Sequence, residues 1–123
     1  MNGVLDTNIV LYLLAGRLAA PLLPGTYAVS IITEMELFSH PDLTEMDEAA
    51  IRAFLPAVRL IELTPAIRAI AVRLRRQHRL KLPDAIIAAT ASEAGTELIT
   101  NDLKLASVPG IRTRSLPLRP SSE

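Results

Sequence analysis

The chain alternates short apolar runs with longer amphipathic segments, and this alternation is the feature that most limits what it can fold into. Runs such as TYAVSII, VRLIEL and ELIT have the length and the β-branched content of strands. The segments between them show helical spacing, with proline or a small polar residue near the start of several. This order predicts βα units and therefore an α/β fold around a mostly parallel sheet.

The element boundaries follow from these runs and from the residues that interrupt them. Strands are predicted over residues 3–5, 26–32, 58–63 and 97–100, with a short edge strand in 111–116. Helices are predicted over residues 9–15, 34–39, 44–55, 64–80 and 83–94, with a further short helix in 101–107. Thr64 is the expected N-cap of the longest helix, and Gly95 is the expected cap after the apolar helix that begins at Pro83.

Length and composition narrow the class of protein. A chain of 123 residues has the size of one domain, which we assign to residues 1–116, with a mobile C-terminal tail over 117–123. The absence of cysteine excludes disulfides, thiolate zinc sites and cysteine nucleophiles, and it fits a cytoplasmic protein. Asn2 and Asp6 interrupt the first apolar run, and no run approaches the roughly 18 residues of a membrane helix, so no membrane partner is expected.

Five acidic residues stand at the ends of predicted elements. Asp6 and Asp102 each follow an apolar strand, Glu34 and Glu36 follow the second strand, and Asp84 opens an apolar, alanine-rich helix. In a parallel sheet, the carboxyl ends of strands and the N-termini of the following helices lie at one edge. Acids that are far apart in sequence are therefore expected to converge on one pocket.

Each of these acids also has a local explanation. Asp6 suits the N-cap of the helix that follows it, and Thr33 with Glu36 matches a capping box. The segment TND at 100–102 is ordinary turn or cap chemistry. Asp84 is the hardest to explain locally, because the helix dipole accounts for its negative charge but not for its expected burial.

Carboxylates brought this close together repel one another unless they are protonated or neutralised by a cation. Hard oxygen ligands suit Mg²⁺ or Mn²⁺, and such an ion typically serves phosphate chemistry. It lowers the pKa of a bound water and stabilises charge on a phosphodiester. The residues alone therefore leave two interpretations open, capping and metal-dependent phosphodiester hydrolysis.

The segments LDTN, SIITEMEL, LPDAIIAATA and LITND, in this order, resemble the PIN-domain family, and more narrowly the VapC-type ribonuclease toxins of VapBC toxin–antitoxin pairs. The match runs from Gly3 to about Arg114. The resemblance implies a three-layer α/β/α sandwich and a Mg²⁺- or Mn²⁺-dependent endoribonuclease that hydrolyses RNA. It also implies a cognate antitoxin as partner and a homodimer.

Family roles carry over to individual positions of this chain. Asp6, Glu36, Asp84 and Asp102 match the metal-binding and catalytic acids. Glu34 fits less well than Glu36, because the family acid directly precedes an apolar leucine.

Two further positions match residues that support the family site, and two depart from the family pattern. Asn8 and Thr100 stand where relatives often have supporting polar residues. Many relatives have a second acid two residues after the fourth one, followed by an aromatic, whereas this chain has Lys104 and Leu105. The departure makes Asp102 the least secure ligand and keeps a second function open, a degenerate PIN domain that binds RNA or a partner without cleaving it.

Charge is distributed unevenly along the chain. Residues 1–62 hold eight acids and three arginines, whereas residues 63–123 hold five acids and ten basic residues. We expect Arg75, Arg76 and Arg79 to contact RNA phosphates, although a solvated helix face explains the same residues. Near the end of the sequence, Arg112, Arg114 and Arg119 suit contacts to RNA or to a partner equally well. The shortage of aromatic residues argues against a base-stacking platform.

Two further features of the sequence bear on the mechanism and on the class of protein. A metal-dependent mechanism needs no protein nucleophile, which agrees with the absence of a recognisable catalytic motif around His40 and His78, the only histidines. A receiver-like phosphoacceptor domain is less favoured, because a single acid follows the first strand.

A set of apolar residues between 21 and 55 is expected either to form a groove for an antitoxin or dimer partner or to belong to the core; its members are Leu22, Leu23, Met35, Leu37, Phe38 and Met46.

Overall fold

The computed structural model describes residues 1–120, which form five strands, six α-helices and a short 3-10 helix at Leu55–Ala57. The strands are β1 (Gly3–Leu5), β2 (Tyr27–Ser30), β3 (Arg59–Ile61), β4 (Leu98–Ile99) and β5 (Thr113–Arg114). The helices are α1 (Thr7–Leu14), α2 (Ile31–Phe38), α3 (Glu45–Phe54), α4 (Pro65–His78), α5 (Leu82–Ala94) and α6 (Leu103–Ala106). In this described part of the chain, no helix combines the length and the apolar character that crossing a bilayer requires.

The five strands form one parallel sheet in the order β3-β2-β1-β4-β5, so β1 lies in the middle. Successive strand residues point to opposite faces of the sheet. Val4, Ala28 and Leu98 pack with α4 and α5 on one face, whereas Leu5, Val29 and Ile99 pack against the other helices. Both faces are therefore covered, which confirms the predicted three-layer α/β/α sandwich.

The start of α2 differs from the prediction. The second strand ends at Ser30, whose hydroxyl accepts a hydrogen bond from the Ile32 amide at 3.0 Å and caps a helix that begins at Ile31. The predicted capping box between Thr33 and Glu36 is therefore wrong, since Thr33 already lies inside the helix and is fully buried. Ser30 rather than Thr33 is the N-cap, because its extended backbone and its short hydroxyl meet the requirements of a cap about one turn earlier in the chain.

Two predicted helix boundaries are confirmed. The Thr64 hydroxyl accepts a hydrogen bond from the Ile67 amide at 3.2 Å and caps α4. Gly95 ends α5 with φ of 68°, a left-handed conformation that glycine adopts without steric cost.

Residues at the start of the predicted tail pair with the loop after α1. The Ala19 amide donates to the Pro117 carbonyl at 2.9 Å, and the Arg119 amide donates to the Arg17 carbonyl at 2.7 Å. These bonds fix residues 117–119 against the loop, while residues 121–123 of the predicted tail lie outside the described residues.

The core beneath α4 provides a test of the packing. Ile67→Ala is expected to lower the free energy of unfolding by about 2–5 kcal/mol, because Ile67 is 1% exposed and its removal leaves a cavity. Val72→Ala, on the same helix but 54% exposed, is expected to change it by less than about 0.5 kcal/mol. Urea denaturation of both variants measures the difference, and equal losses would contradict this assignment of the buried face.

Candidate active site

The candidate site lies at the edge of the sheet where β1, β2 and β4 end. Asp6 directly follows β1, α2 with Glu36 directly follows β2, and Asp102 comes shortly after β4. Because the three strands are parallel neighbours, their carboxyl ends meet at the same edge. We call the set Asp6, Glu36, Asp84 and Asp102 the acidic rim.

Asp6 lies at the centre of this rim and is only 5% exposed. One carboxylate oxygen accepts a hydrogen bond from the Thr7 amide at 2.8 Å, as the N-cap of α1. The other accepts one from the Thr100 hydroxyl at 2.6 Å. Burial raises the pKa of Asp6, these two hydrogen bonds oppose the rise, and the negative charges of Asp84 and Asp102 add to it.

The Thr7 side chain joins Asp6 to the second acid. Its hydroxyl donates to the Glu36 carboxylate at 2.7 Å and lies 3.0 Å from the Thr33 hydroxyl. A hydroxyl has one proton, so Thr7 must accept from Thr33 when it donates to Glu36. The buried Thr33 thus orients Thr7, and Thr7 orients the exposed Glu36.

Thr100 connects Asp6 to the fourth acid, Asp102, in a similar way. Its hydroxyl donates to Asp6 and accepts a hydrogen bond from the Asp102 amide at 3.0 Å. The Asp102 carboxylate in turn accepts from the Lys104 amide at 2.8 Å and caps α6. A chain of hydrogen-bonding residues therefore connects Glu36, Thr7, Asp6, Thr100 and Asp102.

Asp84 joins the rim through charge rather than through that chain. It lies half-buried in the first turn of α5. Burial raises the pKa of Asp84, and the negative charges of Asp102 and Glu36 raise it further, whereas Lys81 and Lys104 act in the opposite direction. Asp84 is therefore close enough to two other acids to feel their charge.

The residues of the rim fit a divalent cation in their donor chemistry. All four offer carboxylate oxygens, the ligands that Mg²⁺ and Mn²⁺ prefer. Among residues 1–120, however, no three acidic or histidine side chains stand close enough to hold a metal ion directly. Binding here requires ligation through water, which Mg²⁺ commonly retains, or an inward movement of the side chains.

Two candidate residues stand apart from the rim. Glu34 lines a shallow depression with Phe38 and Arg52 on a different surface. Asn8 is exposed on the first turn of α1, and its supporting role stays a prediction. Sequence patterns did not predict that Thr7 and Thr33 orient the acids. The available signal was that Thr7 directly follows Asp6, much as Thr100 stands two residues before Asp102.

An apolar groove of about 410 Å³ opens beside the rim between α1, α2 and α3. Thr7 and Glu36 form its border with the acids, and Leu11, Leu43 and Ile51 contribute apolar surface. The apolar residues considered in the sequence divide between two places: Leu22, Leu37 and Phe38 belong to the core or pack against it, whereas Leu23, Met35 and Met46 are exposed.

The three arginines that are expected to contact RNA lie at the end of α4, near the rim. Arg75, Arg76 and Arg79 are all exposed. Arg79 terminates α4 in a left-handed conformation with φ of 54°, and its carbonyl accepts a hydrogen bond from the Lys104 ammonium at 3.0 Å. The turn between α4 and α5 therefore lies next to the Asp84 side of the rim.

Comparison with protein families gives one match, to the model of the PIN domain, over residues 3–111. No curated protein matches the chain.

Several solved structures share the fold. A structure described as a toxin–antitoxin complex from Klebsiella pneumoniae matches with 36% identity and a TM-score of 0.77, covering 89% of this chain and 95% of that one. VapBC-1 from nontypeable Haemophilus influenzae matches with 26% identity and a TM-score of 0.71, covering 94% and 98%. VapBC2 from Rickettsia felis, bound to a promoter DNA fragment, has 23% identity and a TM-score of 0.81, covering 95% and 100%.

The buried charge of Asp6 leads to a prediction about stability and pH. Burial raises the folded-state pKa of Asp6 above 3.8, so the folded protein binds this proton more readily than the unfolded chain. The cost of the buried charge is absent below pH 3.8 and grows as pH rises through the folded-state pKa. Asp6→Asn, which removes the charge, is therefore expected to raise the free energy of unfolding at pH 7 in the presence of a chelator.

Urea denaturation at pH 7 and at about pH 4, near the ordinary pKa of aspartate, measures this effect. The stabilisation should shrink at the lower pH, where a larger fraction of the parent carboxyl is protonated. Asp42→Asn, at an exposed acid outside the rim, is the control and should show little change at either pH. An equal gain for Asp6→Asn at both pH values would contradict a buried-charge effect.

Proposed function

Because the chain belongs to the PIN-domain family, and within it to the VapC type, we propose that it is a Mg²⁺- or Mn²⁺-dependent endoribonuclease and the toxin of a type II toxin–antitoxin pair. The observation that carries this proposal is the convergence of four acids from separate elements on one edge of the sheet. Asp6, Glu36 and Asp102 are connected through Thr7 and Thr100, and Asp84 feels the charge of two of them.

In the proposed mechanism the acidic rim binds a divalent ion, and the ion assists hydrolysis of the phosphodiester. Asp6, Glu36 and Asp84 would hold the ion directly or through water, and Asp102 would complete the site. A divalent ion held there would supply a water of lowered pKa and would stabilise the charge that develops on the phosphodiester. Thr7 and Thr100 hold two of the acids in fixed orientations, so less side-chain ordering is needed when the ion and the substrate bind.

No protein nucleophile is required by this mechanism. His40 is exposed and lines the groove between α1, α2 and α3, and its Nδ1 accepts a hydrogen bond from the Asp42 amide at 3.2 Å. His78 lies in the last turn of α4.

RNA is the proposed substrate, and the end of α4 is the proposed phosphate contact. An acidic rim repels a polyanion, so a nearby source of positive charge favours substrate approach. Arg75, Arg76 and Arg79 are exposed where α4 ends, and the Arg79 carbonyl is bonded to Lys104 beside Asp84.

The groove between α1, α2 and α3 is the proposed seat of an antitoxin segment. Its apolar wall suits an amphipathic helix, and Glu36, Asp42 and Asp47 at its edge favour a partner with basic side chains. A segment seated there would cover Glu36 and close the rim to RNA. The homodimer implied by the resemblance and the cytoplasmic location that fits the absence of cysteine stay predictions.

Lys104 favours a second candidate function, a degenerate PIN domain that binds RNA or a partner without cleaving it. Its ammonium carries positive charge to the place where many relatives have another acid. Cleavage of total RNA with Mg²⁺ or Mn²⁺, followed by addition of a chelator, separates the two functions. Cleavage that stops with the chelator supports the nuclease, and RNA binding without cleavage supports the binding module.

Two glutamates on α2 offer a matched test of the site. Glu36→Gln is expected to lower metal-dependent cleavage about 100-fold or more, since losing a few kcal/mol of ion-mediated stabilisation corresponds to at least this factor. Glu34→Gln, on the same helix but away from the rim, should cleave at nearly the parent rate. Asp84→Asn is expected to behave like Glu36→Gln, and parent-like rates for both would disprove the metal assignment.

The proposed phosphate contact is tested on α4 itself. Replacing Arg75 and Arg76 together with alanine is expected to weaken RNA binding about tenfold or more at low salt and to reduce its salt dependence by about two phosphate contacts. The same double replacement of Arg68 and Arg73, earlier on the helix, is the control. Equal losses in the two variants would mean that α4 attracts RNA diffusely, without a contact at its end.

A further inference from the structure

Only two of the thirteen basic residues of the chain are lysines, and the positive charges of both act on the same acid, Asp84. Lys81 is the residue before α5, and Lys104 is the second residue of α6. Asp84 stands in the first turn of α5 and feels the positive charge of both. Lysine carries its charge on a compact ammonium, which resembles a bound cation more closely than the broad, planar guanidinium of arginine does.

The ammonium of Lys104 is held by the protein rather than left free in solvent. It donates a hydrogen bond at 3.0 Å to the carbonyl of Arg79, at the end of α4. Helix C-termini carry partial negative charge on their unpaired carbonyls, so this is a favourable place for a cation. The backbone of Lys104 is fixed as well, because its amide donates to the Asp102 carboxylate at 2.8 Å.

We propose that Lys104, with Lys81 beside it, acts as a built-in cation on the Asp84 side of the acidic rim, so that the site takes one divalent ion rather than two. This inference rests on the proposed function, because it assumes that the rim binds a divalent ion at all. Lys104 is in this sense a positioning residue for the ion and not a catalytic residue.

The formal charges of the rim lead to the same number of ions. Four ionised carboxylates carry four formal negative charges, against two formal positive charges on Lys81 and Lys104. The remaining two negative charges match one divalent cation. A second divalent ion on the Asp84 side would approach a tethered ammonium, and like charges at such short range repel strongly outside bulk water.

Counting bound Mn²⁺ tests the inference without any measurement of catalysis. Titration of the chelator-treated, purified protein with Mn²⁺, followed by calorimetry and by electron paramagnetic resonance of the free ion, gives the number of ions per chain. The parent is expected to bind one Mn²⁺. Lys104→Glu, which replaces the ammonium by a carboxylate, is expected to bind two.

A second, milder variant separates the effect of the Lys104 charge from any structural role of its side chain. Lys104→Met keeps the aliphatic stem and removes the charge, and it is expected to bind the first Mn²⁺ about tenfold more tightly, because one repulsion is lost. If Lys104 served only to anchor the turn at Arg79, the same variant would bind Mn²⁺ more weakly. Circular dichroism of each variant confirms that it is folded.

Arg112→Glu is the matched control, since it makes the same change of charge at the opposite end of α5. Arg112 donates to the Gly95 carbonyl at 3.0 Å, roughly 20 Å along the helix from the first turn. This variant should keep one ion with parent affinity.

The outcomes distinguish the inference from the function on which it rests. Two Mn²⁺ ions in the parent, or one in both the parent and Lys104→Glu, overturn the built-in cation and leave the metal-dependent nuclease standing. A parent that binds no Mn²⁺ and shows no chelator-sensitive cleavage overturns both. Tighter binding by Lys104→Met together with a second ion in Lys104→Glu supports the inference.

Discussion

The burial of the Asp6 carboxylate at the end of the central strand is the constraint on which the rest of the site depends. β1 has a neighbour on each side, so the residue after it is enclosed by both. The Asp6 amide donates to the Ile99 carbonyl at 2.9 Å, which holds the Asp6 backbone against β4. A buried carboxylate is costly unless it is hydrogen-bonded, and Thr7 and Thr100 meet that need.

Those two threonines also determine where the neighbouring acids stand. Each hydroxyl has one proton to give and lone pairs to accept with, so each can serve two partners at once. Thr100 gives its proton to Asp6 and accepts from the Asp102 amide, while Thr7 gives its proton to Glu36. The acids at the two ends of this chain of contacts are thereby oriented relative to Asp6, although they come from different helices.

Sequence patterns could predict the sheet and the converging acids, because both depend on local periodicity and on a general property of parallel strands. They could not predict the contacts between Thr7 and α2, because these depend on how two helices pack. The choice of Glu36 over Glu34 rested on a resemblance, and the structure adds a physical reason. Residues two apart on a helix point in nearly opposite directions, so only one of the pair can face Thr7.

Capping and charge clustering first looked like competing explanations of these acids, but in the structure they coincide. Asp6 caps α1 with one oxygen, and Asp84 lies in the first turn of α5, so both face the partially positive N-terminus of a helix. These dipoles offset only a fraction of the negative charge, because they act as partial charges. Burial, and then the neighbouring acids, still raise the pKa of both carboxyls. Lys81 and Lys104 supply a further part at Asp84. The charge that is left is the physical reason to expect a cation, since any ion that binds only the folded chain both relieves the repulsion and stabilises the fold.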